Sequence, residues 1–425
     1  MMSPLRRLLL ILAAWMGLAA LALPAQATPA AAPVVASEQQ VLILLKLPAQ
    51  HFRSTTGYAD SYGDGASRSA RRRIAGRIAR EHGLKLVTDW PMPLVGLDCY
   101  VMAVPAGQSP DTVAAELSRD KAVEWSEPMH VYAAQAAAPT PAARPRAAAR
   151  PLATTPNDPL FRAQPAAREW RLEALHDLAT GRGVRVAVID SAVDARHPDL
   201  AGQIEDRQDF VPQRPATAEL HGTAVAGVIA AVQDNQIGIV GVAPGARLMA
   251  LRACWQQDPN ATLCDTLSLA KAVHYAVDHS AQVINLSLAG PPDMLLGRLI
   301  DVALARGIVV VSAVDPNMAG GGFPASHKGV VAVTLTGGVP TPGSVAAPGR
   351  DIPTTEPGGR WGLVNGSSYS AAHVSGLFAL MRERMRRGGA AMALVSSGGS
   401  IDACASLSRS SCGVRPVALT AAPRP

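Results

Sequence analysis

Gly183-Val184-Arg185-Val186-Ala187-Val188-Ile189-Asp190-Ser191 is a short run of β-branched and small apolar residues that stops on a carboxylate. Too short for a helix and apolar at nearly every position, it reads as a strand buried on both faces. Working outward, residues 247–252, 282–288, 308–313 and 330–335 are further apolar strand candidates. Segments of helical spacing lie among them, at 221–232, 267–279 and 294–306. Apolar strands alternating with helices predict an α/β fold, a doubly wound, mostly parallel sheet with helices on both faces. Sites in such sheets lie beyond the carboxyl ends of the strands. Asp190 falls there.

Composition bounds the rest. With 425 residues, 48% hydrophobic and 17% charged, the chain can bury a sizeable core, which excludes global disorder. The formal net charge of +6 is concentrated in N-terminal clusters, Arg71-Arg72-Arg73 and Arg144, Arg146 and Arg150. A basic excess confined to such segments gives no support to a nucleic-acid partner, and the scattered aromatics cannot form a stacking platform. Arg6 and Arg7 precede an apolar run at 8–23, followed by Pro24-Ala25-Gln26-Ala27. That pattern predicts a signal peptide over 1–27, hence a secreted or periplasmic protein. The run is 16 residues, short of the roughly 20 that a membrane span needs, so no span is expected in the mature chain.

Residues 38–133 read as β-α-β-β-α-β, with strands at 41–47, 84–88, 99–104 and 122–132 and helices at 68–82 and 109–119. That order is the split βαβ arrangement of a small ferredoxin-like α+β domain. Residues 134–156 are Ala/Pro/Arg-rich, an exposed linker open to proteolytic nicking. The main α/β domain is expected over 157–385, and 386–425 is a Gly/Ala/Ser-rich tail. In an oxidising compartment Cys254 and Cys264 are spaced to close one short loop and Cys404 and Cys412 another, leaving Cys99 over. Spacing alone does not fix the pairing.

A second stretch turns the fold into chemistry. Asn365-Gly366-Ser367-Ser368-Tyr369-Ser370-Ala371-Ala372-His373-Val374-Ser375-Gly376 places serines at the start of a small-residue helix. Exposed backbone N–H groups and the positive helix end favour developing negative charge there. A Ser-rich N-cap is the bland alternative. His221-Gly222-Thr223 at another helix start and Asp190 at a strand end complete the order Asp, His, Ser, one of the known orders of an acyl-transfer triad.

Here the chain resembles the subtilisin family of serine proteases, the subtilases, over about residues 157–384. Asp190-Ser191-Ala192-Val193-Asp194 through His197-Pro198-Asp199-Leu200 is similar to that family's aspartate block. His221-Gly222-Thr223 with Val225-Ala226-Gly227 is similar to its histidine block, and Gly366-Ser367-Ser368 with His373-Val374-Ser375-Gly376 to its serine block. The resemblance implies a secreted serine endopeptidase made as a self-processing precursor, with Ser368 as nucleophile, His221 as base and Asp190 as orienting carboxylate. Ser367 competes with Ser368 but stands in the wrong place of the triplet. His197 and His373 match structural positions. The resemblance further implies that protein or peptide substrates bind along Ser287, Leu288, Ala289, Ala313 and Asp315, and that 38–133 is a propeptide that inhibits its own enzyme. No cofactor is required. Calcium is implied only through Asp199, a ligand in some relatives, with Asn235 in the following loop.

The chain departs from the family in three places. The asparagine that donates to the oxyanion is replaced, without a gap, by Pro316, whereas a one-residue shift brings Asn317 there. Tyr369-Ser370 replaces the usual Met-Ala after the nucleophile. Ala289 and Asp315 stand where pocket glycines are usual, which predicts a narrower pocket favouring small or basic residues before the scissile bond. The altered oxyanion segment also admits a rival, a weakened scaffold that binds peptides or partners. An α/β-hydrolase esterase lacks its Gly-x-Ser-x-Gly elbow here and has another triad order.

Overall fold

The structure, a computed structural model, describes residues 39–46, 60–136, 156–211, 213–258, 261–389 and 392–408. The expected signal peptide, the linker from 137 to 155 and Cys412 lie outside them. The N-terminal part contains β1 (Gln40–Lys46), α1 (Asp60–Glu81), β2 (Lys85–Met92), β3 (Leu97–Ala103), α2 (Pro110–Leu117) and β4 (Trp125–Pro128). Its antiparallel sheet has the order β2-β3-β1-β4. Val41-Leu42-Ile43-Leu44-Leu45 is apolar throughout because both faces of β1 are covered. Val41, Ile43 and Leu45 pack with Ala75, Ile78 and Leu117, while Leu42 and Leu44 belong to a core shared with the main domain.

The single strand expected at 122–132 is instead two. After β4 the chain bends at Met129-His130, and β5 (Val131–Ala134) joins a different sheet. The bend is held by the backbone of His130, which donates to Thr266 Oγ1 (3.1 Å) and accepts from Thr266 N (3.1 Å). Sequence periodicity cannot register such a change of partner, because both strands alternate alike.

The main domain opens with α3 (Pro165–Glu169), α4 (Leu172–His176), β6 (Arg185–Asp190) and β7 (Ile204–Asp209). Next come α5 (Leu220–Ala230), β8 (Arg247–Arg252), β9 (Cys254–Asp258), β10 (Ala261–Asp265) and α6 (Thr266–Asp278). Then follow β11 (Val283–Leu286), β12 (Leu288–Ala289), α7 (Met294–Ala305), β13 (Val309–Ala313), β14 (Val331–Leu335) and β15 (Val345–Ala347). The hairpin β16 (Ile352–Glu356) and β17 (Arg360–Val364) leads into the long helix α8 (Ser367–Arg386). β18 (Ser396–Ser397), β19 (Ser400–Ile401) and α9 (Ala403–Ser408) end the described chain. The nine-stranded sheet has the order β18-β19-β15-β14-β13-β11-β6-β8-β7, parallel throughout except for β18 against β19.

One core lies between this sheet and α5 and α8; the other lies under α6 and α7 and includes Trp125, Leu42 and Leu44. Each fully buried Val, Ile or Leu contributes about 1.5–3 kcal/mol. Small residues let α5 sink against β16. A Cβ on Gly227 would lie 2.3 Å from Thr355 Oγ1, and the hydroxyls of Thr354 and Thr355 donate to Ala224 and Thr223 carbonyls at 2.7 Å. The stretch from 386 is more than a tail, since Ile401, Ala403 and Leu407 are buried in the core of the main domain. Cys254 and Cys264 form a disulfide, and Cys99 is a buried free thiol. Between Cys254 and Cys264, β9 and β10 pair antiparallel.

Candidate active site

β6 delivers Asp190 to the carboxyl edge of the sheet, and α5 begins beside it with His221 in its first turn. His221 Nδ1 lies 2.7 Å from Asp190 Oδ1, which also accepts the Ser191 N–H at 2.7 Å. The approach is tight because Gly222 has no side chain: a Cβ there would fall 2.2 Å from the Ser191 carbonyl oxygen. Asp190 and His221 are both buried. A carboxylate on Nδ1 fixes the tautomer that leaves Nε2 with its lone pair, and His221 Nε2 has no partner among the described residues.

Ser368 is fully buried in the first turn of α8. Its hydroxyl donates to Ser287 O (2.8 Å) and accepts from Gln135 N (3.0 Å). Its own N–H donates to Gln135 O at 3.1 Å. Gly366, at φ 138°, makes this contact possible, since a Cβ there would sit 2.2 Å from Gln135 O.

The chain leading to Gln135 lies as an antiparallel strand between two walls. On one side Ala134 faces Leu288 and Ala133 faces Ala289; on the other Ala133 faces Leu263 and Tyr132 faces Cys264. Gln135 N also approaches Ser287 O at 3.3 Å. The Tyr132 ring covers Gly290, where a Cβ would come within 2.4 Å of it, and its hydroxyl donates to Pro291 O at 3.2 Å. Ser368 therefore meets both the N–H and the carbonyl of Gln135, the residue before Ala136.

Over much of its length the chain matches known proteins. Residues 181–393 match the model of the subtilase family, Peptidase S8. The chain belongs to the subtilase family. It is 34% identical over 291 residues to a thermophilic serine proteinase of Bacillus sp. (strain AK1), covering 65% of this chain and 67% of that one. It is also 34% identical over 246 residues to thermitase of Thermoactinomyces vulgaris, covering 55% of this chain and 87% of that one. The fold is similar to that of fervidolysin from Fervidobacterium pennivorans (TM-score 0.59, 22% identity), over 84% of this chain and 56% of that one. As a subtilase the protein is a serine-type endopeptidase.

The expected site residues divide into two groups. Asp190 and His221 are hydrogen-bonded, and Ser287, Leu288 and Ala289 line the strand that ends at Ser368. Ala313 is buried at the end of β13. Asp315 turns its carboxylate to Asn317 N (2.8 Å), capping its own turn. Asn317 itself is exposed, and among the described residues no hydrogen bond joins its side chain to Gln135 O. Pro316, also exposed, offers no donor.

His197 and His373 serve elsewhere. His197 is bonded to Arg360 O (2.8 Å) and Asp199 N (3.1 Å). His373 Nδ1 meets Tyr369 O at 2.7 Å, and burial pushes its pKa down to about 4. The Tyr369 ring, buried, lies 5.7 Å from the His221 ring. Burial, followed by the charge of Asp190, raises its phenol well above the ordinary range.

Calcium does not fit the expected place. The buried Asp199 carboxylate accepts from Asn235 Nδ2 (2.8 Å), Ile239 N (2.9 Å) and Trp361 Nε1 (2.8 Å). A cation needs several oxygens, whereas three N–H groups converge here. Among the described residues no cluster of three His, Cys, Asp or Glu side chains is arranged for a metal, and no helix is long and apolar enough to cross a membrane.

Sequence reasoning missed Gln135, Tyr132 and Gly290. The one available signal was positional: Tyr132-Ala133-Ala134-Gln135 closes the N-terminal domain where the low-complexity stretch begins.

Proposed function

We propose that this subtilase is exported as a precursor, that Asp190, His221 and Ser368 form its catalytic triad, and that it cuts its own chain between Gln135 and Ala136. Ser368 Oγ turns from Ser287 O toward His221 and attacks the Gln135 carbonyl carbon as His221 Nε2 takes its proton. Asp190 stabilises the imidazolium, and the Ser368 N–H donates to the oxyanion. His221 then protonates the departing Ala136 amine, and water, activated by the same imidazole, releases the acyl group. Residues 38–135 would remain in the cleft as a product-like inhibitor until displaced. The single observation that carries this reading is the bonding of Gln135 through both its N–H and its carbonyl to Ser368.

A serine-directed fluorophosphonate tests the assignment. Expected is labelling of Ser368 in the mature enzyme, with casein turnover that disappears in Ser368→Ala. Turnover that survives the substitution would overturn it.

A further inference from the structure

We infer that the Cys254–Cys264 disulfide is a positioning element for extended substrates, holding the strand that pairs with residues three to five places before the scissile bond. The inference rests on the proposed reading of 131–135 as a substrate-like strand. In the four-stranded sheet β12-β5-β10-β9 that strand lies inside, so one wall of the cleft is β10 and β9 supports β10 from behind. Cys264 is the shared rung, paired with Tyr132 on one side and with Cys254 on the other.

Hydrogen bonding alone holds β10 weakly in register. The β9–β10 ladder shifts between Ala261 and Thr262, so the end of the hairpin away from the site does not fix the pairing. A one-residue slip would turn every side chain to the opposite face and move the groups that meet Ala133 and Tyr132. The disulfide forbids that slip. It also ties β10 to the catalytic edge, because Ala253 N, one residue before Cys254, donates to Asp190 O at 2.9 Å. At its other end β10 runs directly into the cap of α6, where Asp265 accepts Ser268 N at 2.8 Å. The buried Cys254, Trp255 and Cys264 anchor the hairpin, whereas Gln257 and Asp258 are exposed.

The expected effect depends on substrate length. A Gln ester reaches only Ser368 and Ser287, whereas Val-Tyr-Ala-Ala-Gln anilide also lies along β10. In mature enzyme carrying Cys254→Ser, KM for the pentapeptide should rise about tenfold while kcat stays within about twofold, the pattern of lost ground-state binding. Turnover of the ester should change far less. A dithiol, itself oxidised to a cyclic disulfide as it reduces the cystine to two thiols, should reproduce the same split in the wild type. This second arm keeps the test open if the variant fails to fold. An equal loss on both substrates, or no loss on the pentapeptide, would overturn the inference while leaving the serine protease reading in place. Failure of the oxidised wild type to turn over either substrate would instead overturn that reading, and this inference with it.

Discussion

Two regions flank the start of α8, and they are built differently. On one side the Asp190–His221 pair is buried, and each member is fixed by backbone at a strand end or a helix start. On the other, the turn at 315–317 is exposed or half-exposed, with its polar groups bonded to one another. Val314, just before the turn, accepts the Ser367 hydroxyl at the helix start at 2.7 Å. In the proposed mechanism proton transfer is thus wired into the core, while the oxyanion meets one backbone N–H, that of Ser368. A buried pair tolerates no rearrangement. An exposed turn does.

The largest expected effects come from breaking the buried side. His221→Ala should lower kcat by roughly 10⁵–10⁶, and Asp190→Asn by about 10⁴, with little change in KM. Losses under tenfold in either variant would place the chemistry elsewhere. The exposed side should respond far less. An oxyanion donor is worth a factor of about 10²–10³ in kcat, so Asn317→Ala should cost under about threefold if the turn stays as it is. A hundredfold loss would show that the turn closes on substrate and would erase the contrast between the two regions.

A smaller effect concerns how firmly β5 is kept between them. Glu127 accepts Met294 N (2.9 Å) and Leu295 N (3.1 Å) at the start of α7, beside Asp293 and His130. Burial, then the charge of Asp293, pushes the Glu127 carboxyl up to about 7. His130 is raised too; burial opposes the shift, but the hydrogen bond and charge of Asp293 outweigh it. A freed segment would lose its Glu127 proton near 4.3. This contribution to docking is therefore complete below that pH and is lost as pH rises through about 7. The cleaved segment should dissociate about tenfold faster at pH 8 than at pH 5 by size-exclusion kinetics, and Glu127→Gln should flatten the profile. A faster release in acid would contradict the assignment.

Much of this contrast was legible in the sequence. Val186-Ala187-Val188-Ile189 could only be a strand covered on both faces, and the small residues after His221 could only suit a helix sunk in the core. The charged edge strand β7 was not legible, because an edge needs no apolar pattern. Nor was the division of 122–132 into two strands, or the descent of Gln135 into the cleft. Those depend on which surface the chain meets after residue 130, and nothing local encodes that. Nor was the donor set around Asp199 legible: Asn235 was named with it only for calcium, and Trp361 arrives from a hairpin more than a hundred residues downstream.

The smallest effect tests that last point. Trp361→Phe removes one donor to a buried carboxylate, a loss of about 1–3 kcal/mol, which should lower Tm by several degrees while a chelator alone leaves wild-type Tm unchanged. A large chelator effect at this loop would restore calcium.

The central claim, that Ser368 meets its first substrate at Gln135, is tested most directly by intact-mass and N-terminal analysis of the expressed protein beside Ser368→Ala. The expected result is a wild-type product beginning at Ala136 and a variant uncut at Gln135–Ala136. A variant cut at the same bond, or a wild type cut elsewhere and never there, would contradict it.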